Sequence, residues 1–228
     1  MCNKVTRSLG LALAVGAIGL STSAFAGDYP CPPNIGARTI DGNVVVKRAC
    51  TLPGTTVKGN VLVYSGGSLK ASGVRVDGNI QAKDSNAIVV SNSYIDGDIQ
   101  FENVRGTRSS VTDSVINGNI QAKGNREAVM VERNEIDGDI QFENLRGSAS
   151  NVVDNNVSGN IQLKSNRLYV AVGSNEVGGD VQAFSNTGGL KIERNVIDGN
   201  LQCKSNNPAP TGGQNRVSGN KEDQCRRL

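Results

Sequence analysis

The sequence contains no histidine and no tryptophan, and only four tyrosines and four phenylalanines occur among its 228 residues. Without histidine, the chain lacks the usual base of a serine or cysteine triad, which argues against nucleophilic catalysis of that kind. The scarcity of aromatic rings argues against a conventional globular core, because such cores draw much of their buried area from aromatic side chains. Something other than bulky side chains therefore has to organise the fold.

Long hydrophobic sequence is equally scarce, because the chain has one apolar run, at residues 9–20. Lys4 and Arg7 precede this run and Ala24-Phe25-Ala26 follows it, which gives the three parts of a secretory signal. The run is too short to cross a bilayer comfortably. The sequence therefore predicts a signal peptide over residues 1–26, a secreted or periplasmic mature chain, and no membrane insertion after signal removal.

The predicted mature chain also has almost no excess of either charge, since its 22 basic and 21 acidic residues give a net charge of +1. Such a balance offers no broad electrostatic attraction for nucleic acid or for anionic membranes. We therefore expect no nucleic-acid partner.

Four cysteines remain in the predicted mature chain, an even number that suits an oxidising compartment. Three pairings are open, and the positions favour Cys31–Cys50 and Cys203–Cys225, with one disulfide near each end. A zinc site is the competing use, but the spacings are wide and no histidine accompanies them. The sequence predicts neither a metal nor a cofactor.

What the sequence does have is an internal repeat, in which a glycine followed by Asn or Asp recurs every 17 to 21 residues. β-Branched residues stand two positions before every one of these glycines, and aliphatic residues stand two positions after nine of the ten. The recurring glycines are Gly42, Gly59, Gly78, Gly97, Gly118, Gly138, Gly159, Gly179, Gly199 and Gly219.

The segments after these glycines alternate apolar and polar residues, as in Asn79-Ile80-Gln81-Ala82-Lys83. A period of two is typical of strands, and a single short strand cannot bury its apolar side alone. Stacking each repeat on the next solves this, because it pairs every strand edge and places equivalent residues above one another. The sequence thus predicts an all-β, right-handed parallel β-helix, a solenoid of about nine to ten coils of about 20 residues with disulfide-bonded ends.

Alternation also assigns the residues after each glycine to faces of the strand. The second and fourth positions are apolar and are predicted to point inward, so the first, third and fifth point outward. Outward rows of Asn or Asp, of Gln, and of alternating Lys and Glu form a regular polar face. We take this face as a candidate binding surface comprising Asn79, Gln81, Lys83, Asp98, Gln100, Glu102, Asn119, Gln121, Lys123, Asp139, Gln141 and Glu143.

Two further sets of asparagines recur and are predicted to form turn ladders rather than ligand sites. One set lies four residues before the glycines, at Asn134, Asn155, Asn175, Asn195 and Asn215. The other, less regular, is predicted near the far end of the strand, at Asn86, Asn103, Asn125, Asn144, Asn166, Asn186 and Asn206.

The repeat pattern N-x-[IV]-x-G-[ND]-[IVL]-Q resembles that of the right-handed parallel β-helix superfamily with the pectin-lyase-like architecture, and the chain is also similar to secreted bacterial repeat proteins. The resemblance covers nearly the whole mature chain and implies the architecture without implying an activity. One β-helix domain is expected over residues 27–228, with an N-terminal cap and first coil at 27–58, regular coils at 59–202 and a C-terminal coil and cap at 203–228.

Two classes of function stay open at this point. The favoured one is a non-catalytic scaffold or surface- and glycan-binding protein of the bacterial envelope, a capped monomer with a cell-envelope polysaccharide as its candidate partner. The alternative is a lyase or hydrolase of acidic polysaccharides, which similar β-helices build from carboxylate clusters. The nearest such cluster here is Asp96 and Asp98 with Asp137 and Asp139, which a solvated turn explains better than a calcium site does, since calcium takes six to eight oxygen ligands.

Overall fold

A computed structural model describes residues 27–228, and the predicted signal peptide lies outside this part of the chain. Residues 27–228 form a parallel β-solenoid of about nine coils, and every strand pairing is parallel. The predicted all-β fold and its repeat length are confirmed. Within the same residues, no helix has the length and apolar character needed to span a bilayer.

Each full coil contributes one strand to each of three sheets. The long sheet contains the strands Asp28–Cys31, Asn43–Val46, Val61–Val63, Ile80–Lys83, Ile99–Glu102, Ile120–Lys123, Ile140–Glu143, Ile161–Lys164, Val181–Phe184, Leu201–Lys204 and Lys221–Asp223. The second sheet contains Ala49–Pro53, Ser68–Ser72, Ala87–Ser91, Ser109–Thr112, Val129–Glu132, Ser150–Val153, Val170–Gly173, Leu190–Glu193 and Thr211–Gly213. The narrow sheet contains Thr39–Ile40, Thr56–Val57, Arg75–Val76, Tyr94–Ile95, Val115–Ile116, Glu135–Ile136, Asn156–Val157, Glu176–Val177, Val196–Ile197 and Arg216–Val217.

Three corners join these sheets in every coil. In the coil that begins at Ile120, the first corner (124–128) leads from the long sheet to the second sheet, and the second corner (133–134) leads on to the narrow sheet. The glycine corner (137–139) then returns the chain to the long sheet of the next coil.

The interior is a set of stacked aliphatic columns, as the alternation predicts. Ile99 lies between Ile80 and Ile120 in the long sheet, and all three side chains are fully buried. Phe101 lies between Ala82 and Ala122, and Phe142 lies between Ala122 and Leu163, so no two rings are stacked directly. Such complementary packing fills a narrow core that has no room for consecutive rings.

The recurring glycine is required because successive coils approach closely at the glycine corner. A Cβ atom on Gly118 would lie 2.7 Å from the carbonyl oxygen of Gly97 and 2.5 Å from Oδ1 of Asp98. Neither atom can withdraw easily, because one is backbone and the other accepts a hydrogen bond from the backbone of Asn119. The periodic glycine of the sequence therefore marks a position where two backbones touch.

The first predicted asparagine ladder is confirmed at the second corner, where its members are buried. Asn155 shows the pattern: its Oδ1 accepts the backbone N–H of Asn134 at 3.0 Å, and its amide donates to Oδ1 of Asn175 at 3.0 Å and to the carbonyl of Val131 at 2.9 Å. Each amide thereby satisfies backbone groups that a buried turn would otherwise leave unpaired.

The second predicted ladder is wrong as a single column, because its members occupy three different positions of the first corner. Asn166, Asn186 and Asn206 form a buried ladder with Nδ2 to Oδ1 distances of 2.9 Å. Asn103 and Asn144 stand one position earlier, in the left-handed conformation with φ of 54° and 55°. Asn86 is exposed, whereas Asn125 is buried between Val104 and Leu145 of the neighbouring coils, and its Nδ2 lacks a hydrogen-bond partner among the residues the structure describes.

Both predicted disulfides are present, one near each end of the solenoid. The Cα atoms of Cys31 and Cys50 are 5.6 Å apart, and those of Cys203 and Cys225 are 5.2 Å apart. Cys203 lies on the inward row, Cys225 is fully buried, and Leu228 packs against the core. The C-terminal tail therefore covers the last coil, which protects an otherwise open sheet edge.

Candidate functional site

The outward face of the long sheet carries the predicted binding residues in the predicted register. Gln81, Gln100, Gln121 and Gln141 are direct Cα partners in consecutive strands. Residues at the third position are half-buried, and their neighbours at the second and fourth positions are buried. The stacking of equivalent residues thus turns the sequence repeat into straight rows on one side of the molecule.

The Asn/Asp row of this face has a structural task. Oδ1 of each member accepts the backbone N–H of the equivalent residue in the next coil, for example Asn79 from Asp98 at 2.7 Å and Asp98 from Asn119 at 2.7 Å. Nδ2 of Asn119 also donates to Oδ1 of Asp98 at 3.0 Å, and Asn160 and Asp139 repeat this pair. The alternation of Asn and Asp supplies a donor for each carboxylate, so this row stabilises the corner and has little capacity left for a ligand.

The glutamine row is tied less tightly to the scaffold. Nε2 of Gln100 and of Gln141 lies 3.3 Å from Oδ2 of the aspartate two residues before it, Asp98 and Asp139. Nε2 of Gln81 lies 3.3 Å from Oε1 of Gln100. These weak contacts align the amides along the axis while leaving each with unused donor or acceptor capacity.

The fifth-position row pairs charges between coils, as its alternation predicts. Nζ of Lys83 lies 3.3 Å from Oε1 of Glu102, and Nζ of Lys123 lies 3.5 Å from Oε2 of Glu143. The lysine side chains are about two-thirds exposed, at 66% and 64%. Exposed pairs of this kind contribute little to stability, and they can reorganise around a bound molecule.

A shallow depression with a volume of about 490 Å³ lies where these rows meet the N-terminal coils. Its lining includes Leu62 and Tyr64 from one coil, and Tyr64 is 48% exposed. It brings together six of the twelve predicted residues: Gln81, Lys83, Gln100, Glu102, Gln121 and Lys123. The other six, Asn79, Asp98, Asn119, Asp139, Gln141 and Glu143, lie on the same sheet outside this lining.

Tyr64 is the residue that the predicted set missed. It occupies the same fifth position as Lys83, where the sequence places an outward side chain. The signal was therefore present in the register. What the register could not show is that a depression lies beside Leu62 and Tyr64.

Asp96 and Asp98, one of the two acidic pairs considered for a calcium site, have separate hydrogen-bond partners. Oδ1 of Asp96 accepts from Nδ2 of Asn117 at 2.7 Å, whereas Oδ1 of Asp98 accepts from Asn119 on the glycine-corner ladder. Over residues 27–228, no three side chains of His, Cys, Asp or Glu are grouped as metal ligands. The contacts of Asp96 and Asp98 are those of a hydrogen-bonded corner.

Two carboxyl groups with perturbed titration lie away from the depression. A hydrogen bond from Arg133 holds the pKa of Asp113 below its usual range, and a hydrogen bond from Lys191 does the same for Glu193. Both carboxyl groups are on the surface at or near the second corner. Their shifts reflect ion pairing between neighbouring charges, which is common on protein surfaces.

No family model matches the chain, no curated protein matches its sequence, and no solved structure matches its fold.

Proposed function

We propose that the protein is a secreted, non-catalytic β-helical scaffold that binds a cell-envelope polysaccharide at the depression beside Tyr64. The observation that carries this proposal is the arrangement of an exposed aromatic ring next to a straight row of amides. Carbohydrate sites combine a ring face with planar hydrogen-bonding groups, because a sugar presents an apolar face and an equatorial set of hydroxyl groups.

The spacing of the site favours a polymer over a single sugar. The amides of Gln81, Gln100 and Gln121 repeat at the strand separation of about 4.8 Å along the axis. Each can donate and accept one hydrogen bond beyond its contacts within the sheet. A periodic chain that lies along the rod would meet the same groups at each step, which gains affinity through repeated weak contacts.

The charges in the depression support a non-catalytic role. Its two carboxylates, Asp84 and Glu102, are each paired with a cation, Asp84 with Arg105 at 2.7 Å and Glu102 with Lys83 at 3.3 Å. A glycoside hydrolase needs one carboxyl group that keeps its proton until the leaving group takes it. Such a group is usually buried against apolar side chains, whereas the side chains of Asp84 and Glu102 are 33% and 46% exposed.

A lyase or hydrolase of acidic polysaccharides is the alternative, and it has a direct test. Incubation with polyuronates and other envelope glycans should release neither unsaturated nor reducing sugars. Release that disappears in a Glu102→Gln variant would contradict the non-catalytic assignment.

Secretion is part of the same proposal, and it is supported by the predicted signal peptide and by two disulfides, which persist in oxidising compartments. The repeat pattern also supports placing the chain among the pectin-lyase-like β-helices, whose architecture it resembles.

A glycan array tests the binding proposal, with the mature chain and a Tyr64→Ala variant compared. We expect retention on at least one envelope polysaccharide and a roughly tenfold loss in the variant, the scale of a lost aromatic contact. Tyr169→Ala is the matched control, because Tyr169 is also exposed, at 42%, and lies outside the depression. Absence of retention on every glycan, or equal losses in both variants, would refute the proposal.

A further inference from the structure

The first corner carries a column of four arginines, a longer run of like charge than the long sheet or the second corner contains. Arg105, Arg126, Arg146 and Arg167 occupy the same position in four consecutive coils, and all four are exposed. Their backbone N–H groups each bond to the coil below in the same register, so the four residues occupy stacked positions along the axis. We call these four residues the arginine ridge.

In two other columns of the surface, stacked charges alternate in sign. The fifth position of the long sheet reads Lys83, Glu102, Lys123, Glu143, and the second corner places Arg133 between Asp113 and Asp154. Alternation avoids the repulsion that directly stacked like charges produce. The arginine ridge has no such alternation. It stacks four positive charges at successive separations of about 4.8 Å.

Neighbouring carboxylates neutralise only a small part of the ridge. Arg105 is paired with Asp84 at 2.7 Å. Throughout residues 27–228, Arg126, Arg146 and Arg167 take part in no ion pair. The four first-corner segments that hold the ridge (103–108, 124–128, 144–149 and 165–169) contain five basic residues and one acidic residue, a net charge of +4. The described chain as a whole carries only +1, so a nearly neutral protein has one strongly basic edge.

The shape of this basic edge indicates which kind of anionic ligand fits it. The ridge stands on a corner between two sheets, so its side chains project outward and converge on no cleft. The depression on the long sheet contains none of the four arginines. Tyr169, two residues after Arg167, is exposed at the same corner and adds an amphipathic ring beside the charges. A projecting basic edge with an aromatic flank fits a flat anionic layer better than it fits a single polymer strand.

We propose that the arginine ridge docks the rod lengthwise on the phosphate headgroups of an anionic lipid surface. Guanidinium groups bind phosphate in a bidentate manner and hold their charge at every relevant pH. A row of them along a rigid edge contacts several headgroups at once without inserting into the bilayer. Basic residues near an anionic lipid surface each strengthen binding about fivefold at moderate salt. This proposal is independent of the glycan proposal, because it uses a different part of the surface.

Co-sedimentation with vesicles tests the ridge. The mature chain should sediment with vesicles of phosphatidylcholine and phosphatidylglycerol, should not sediment with phosphatidylcholine alone, and should be released by salt. The double variant Arg146→Gln/Arg167→Gln should bind about 25-fold more weakly, as two such contacts are removed.

The matched control is Arg133→Gln/Arg194→Gln, which removes the same charge from the second corner and should change vesicle binding less than twofold. Equal weakening in both double variants would overturn the proposal, because it would show a response to net charge alone. Failure of the unaltered chain to bind phosphatidylglycerol vesicles would also overturn it. So would tighter, ridge-dependent binding to soluble polyphosphate or single-stranded DNA, which would identify a polymer as the ligand.

The two proposals can fail separately. Tyr64→Ala should leave vesicle binding intact, and the ridge variant should leave glycan retention intact. Circular dichroism of every variant establishes that the β-sheet content is unchanged.

Discussion

The buried asparagine ladder of the second corner allows a stability prediction worked out from individual atoms. In Asn155→Ala, two N–H donors of Asn134 lose their acceptor, because its backbone N and its Nδ2 each lie 3.0 Å from Oδ1 of Asn155. The second N–H of Nδ2 keeps its bond to the carbonyl of Val111. Asn134 is 4% exposed, so water replaces the lost partner poorly. Each stranded buried donor costs about 1–3 kcal/mol, so the variant should lose roughly 2–6 kcal/mol. A loss of this size is a large share of the total stability of a domain, which is about 5–15 kcal/mol.

The assay is equilibrium urea unfolding followed by circular dichroism, with the disulfides kept intact. Asn156→Ala is the control, since Asn156 is the exposed neighbour of Asn155 in the chain and should shift the free energy of unfolding by less than about 0.5 kcal/mol. Asn155→Asp keeps an acceptor for Asn134 but sets a carboxylate against the carbonyl of Val131, which Nδ2 of Asn155 contacts at 2.9 Å. Burial would raise the pKa of that carboxyl, so the variant should be destabilised at neutral pH and recover as the pH falls. If Asn155→Ala and Asn156→Ala unfolded at the same urea concentration, the ladder would not stabilise the fold as argued.

Three further predictions concern the glycine corner, the ends and the second corner. Gly118→Ala should lose about 1–3 kcal/mol in urea unfolding, because its Cβ would overlap the carbonyl of Gly97, whereas Gly36→Ala, with nothing within 4 Å, should be neutral. Removing either disulfide by Cys→Ser substitution should cost about 3 kcal/mol for loops of 19 and 22 residues, and an unchanged melting temperature would contradict the capping role. Arg133→Gln should return the pKa of Asp113 to its usual range in an NMR titration, and an unmoved pKa would show that the ion pair is not its cause. Since a depressed carboxyl pKa stabilises the fold at higher pH and this stabilisation is lost as the pH falls through the folded value, Arg133→Gln should also flatten the pH dependence of stability in the acid range.

Most of the fold was predictable because a solenoid converts linear spacing directly into spatial neighbours. The period of the glycines, the alternation around them and the even cysteine count gave the strands, the inward rows and both disulfides. The second asparagine set shows where this reasoning failed. Asn103 and Asn125 fall near the same point of the repeat, yet one takes the left-handed turn position and the other faces the core. A one-residue difference in turn position reverses a side chain, and a recurring asparagine suits both places.

The candidate site also has features that the sequence predicts and features that only the structure shows. The sequence alone determined which rows face outward, since alternation within a strand leaves no other choice. Only the tertiary structure showed that the side chains of the Asn/Asp row form hydrogen bonds between coils. It also showed that Tyr64 borders a depression lined by residues of adjacent strands. The net charge of +1 of the predicted mature chain likewise gave no sign of the arginine ridge, because a sum over residues does not say where the charges lie. Stacking brings residues about 20 apart in the chain to about one strand separation in space. At that distance like charges add up to a strongly charged local surface.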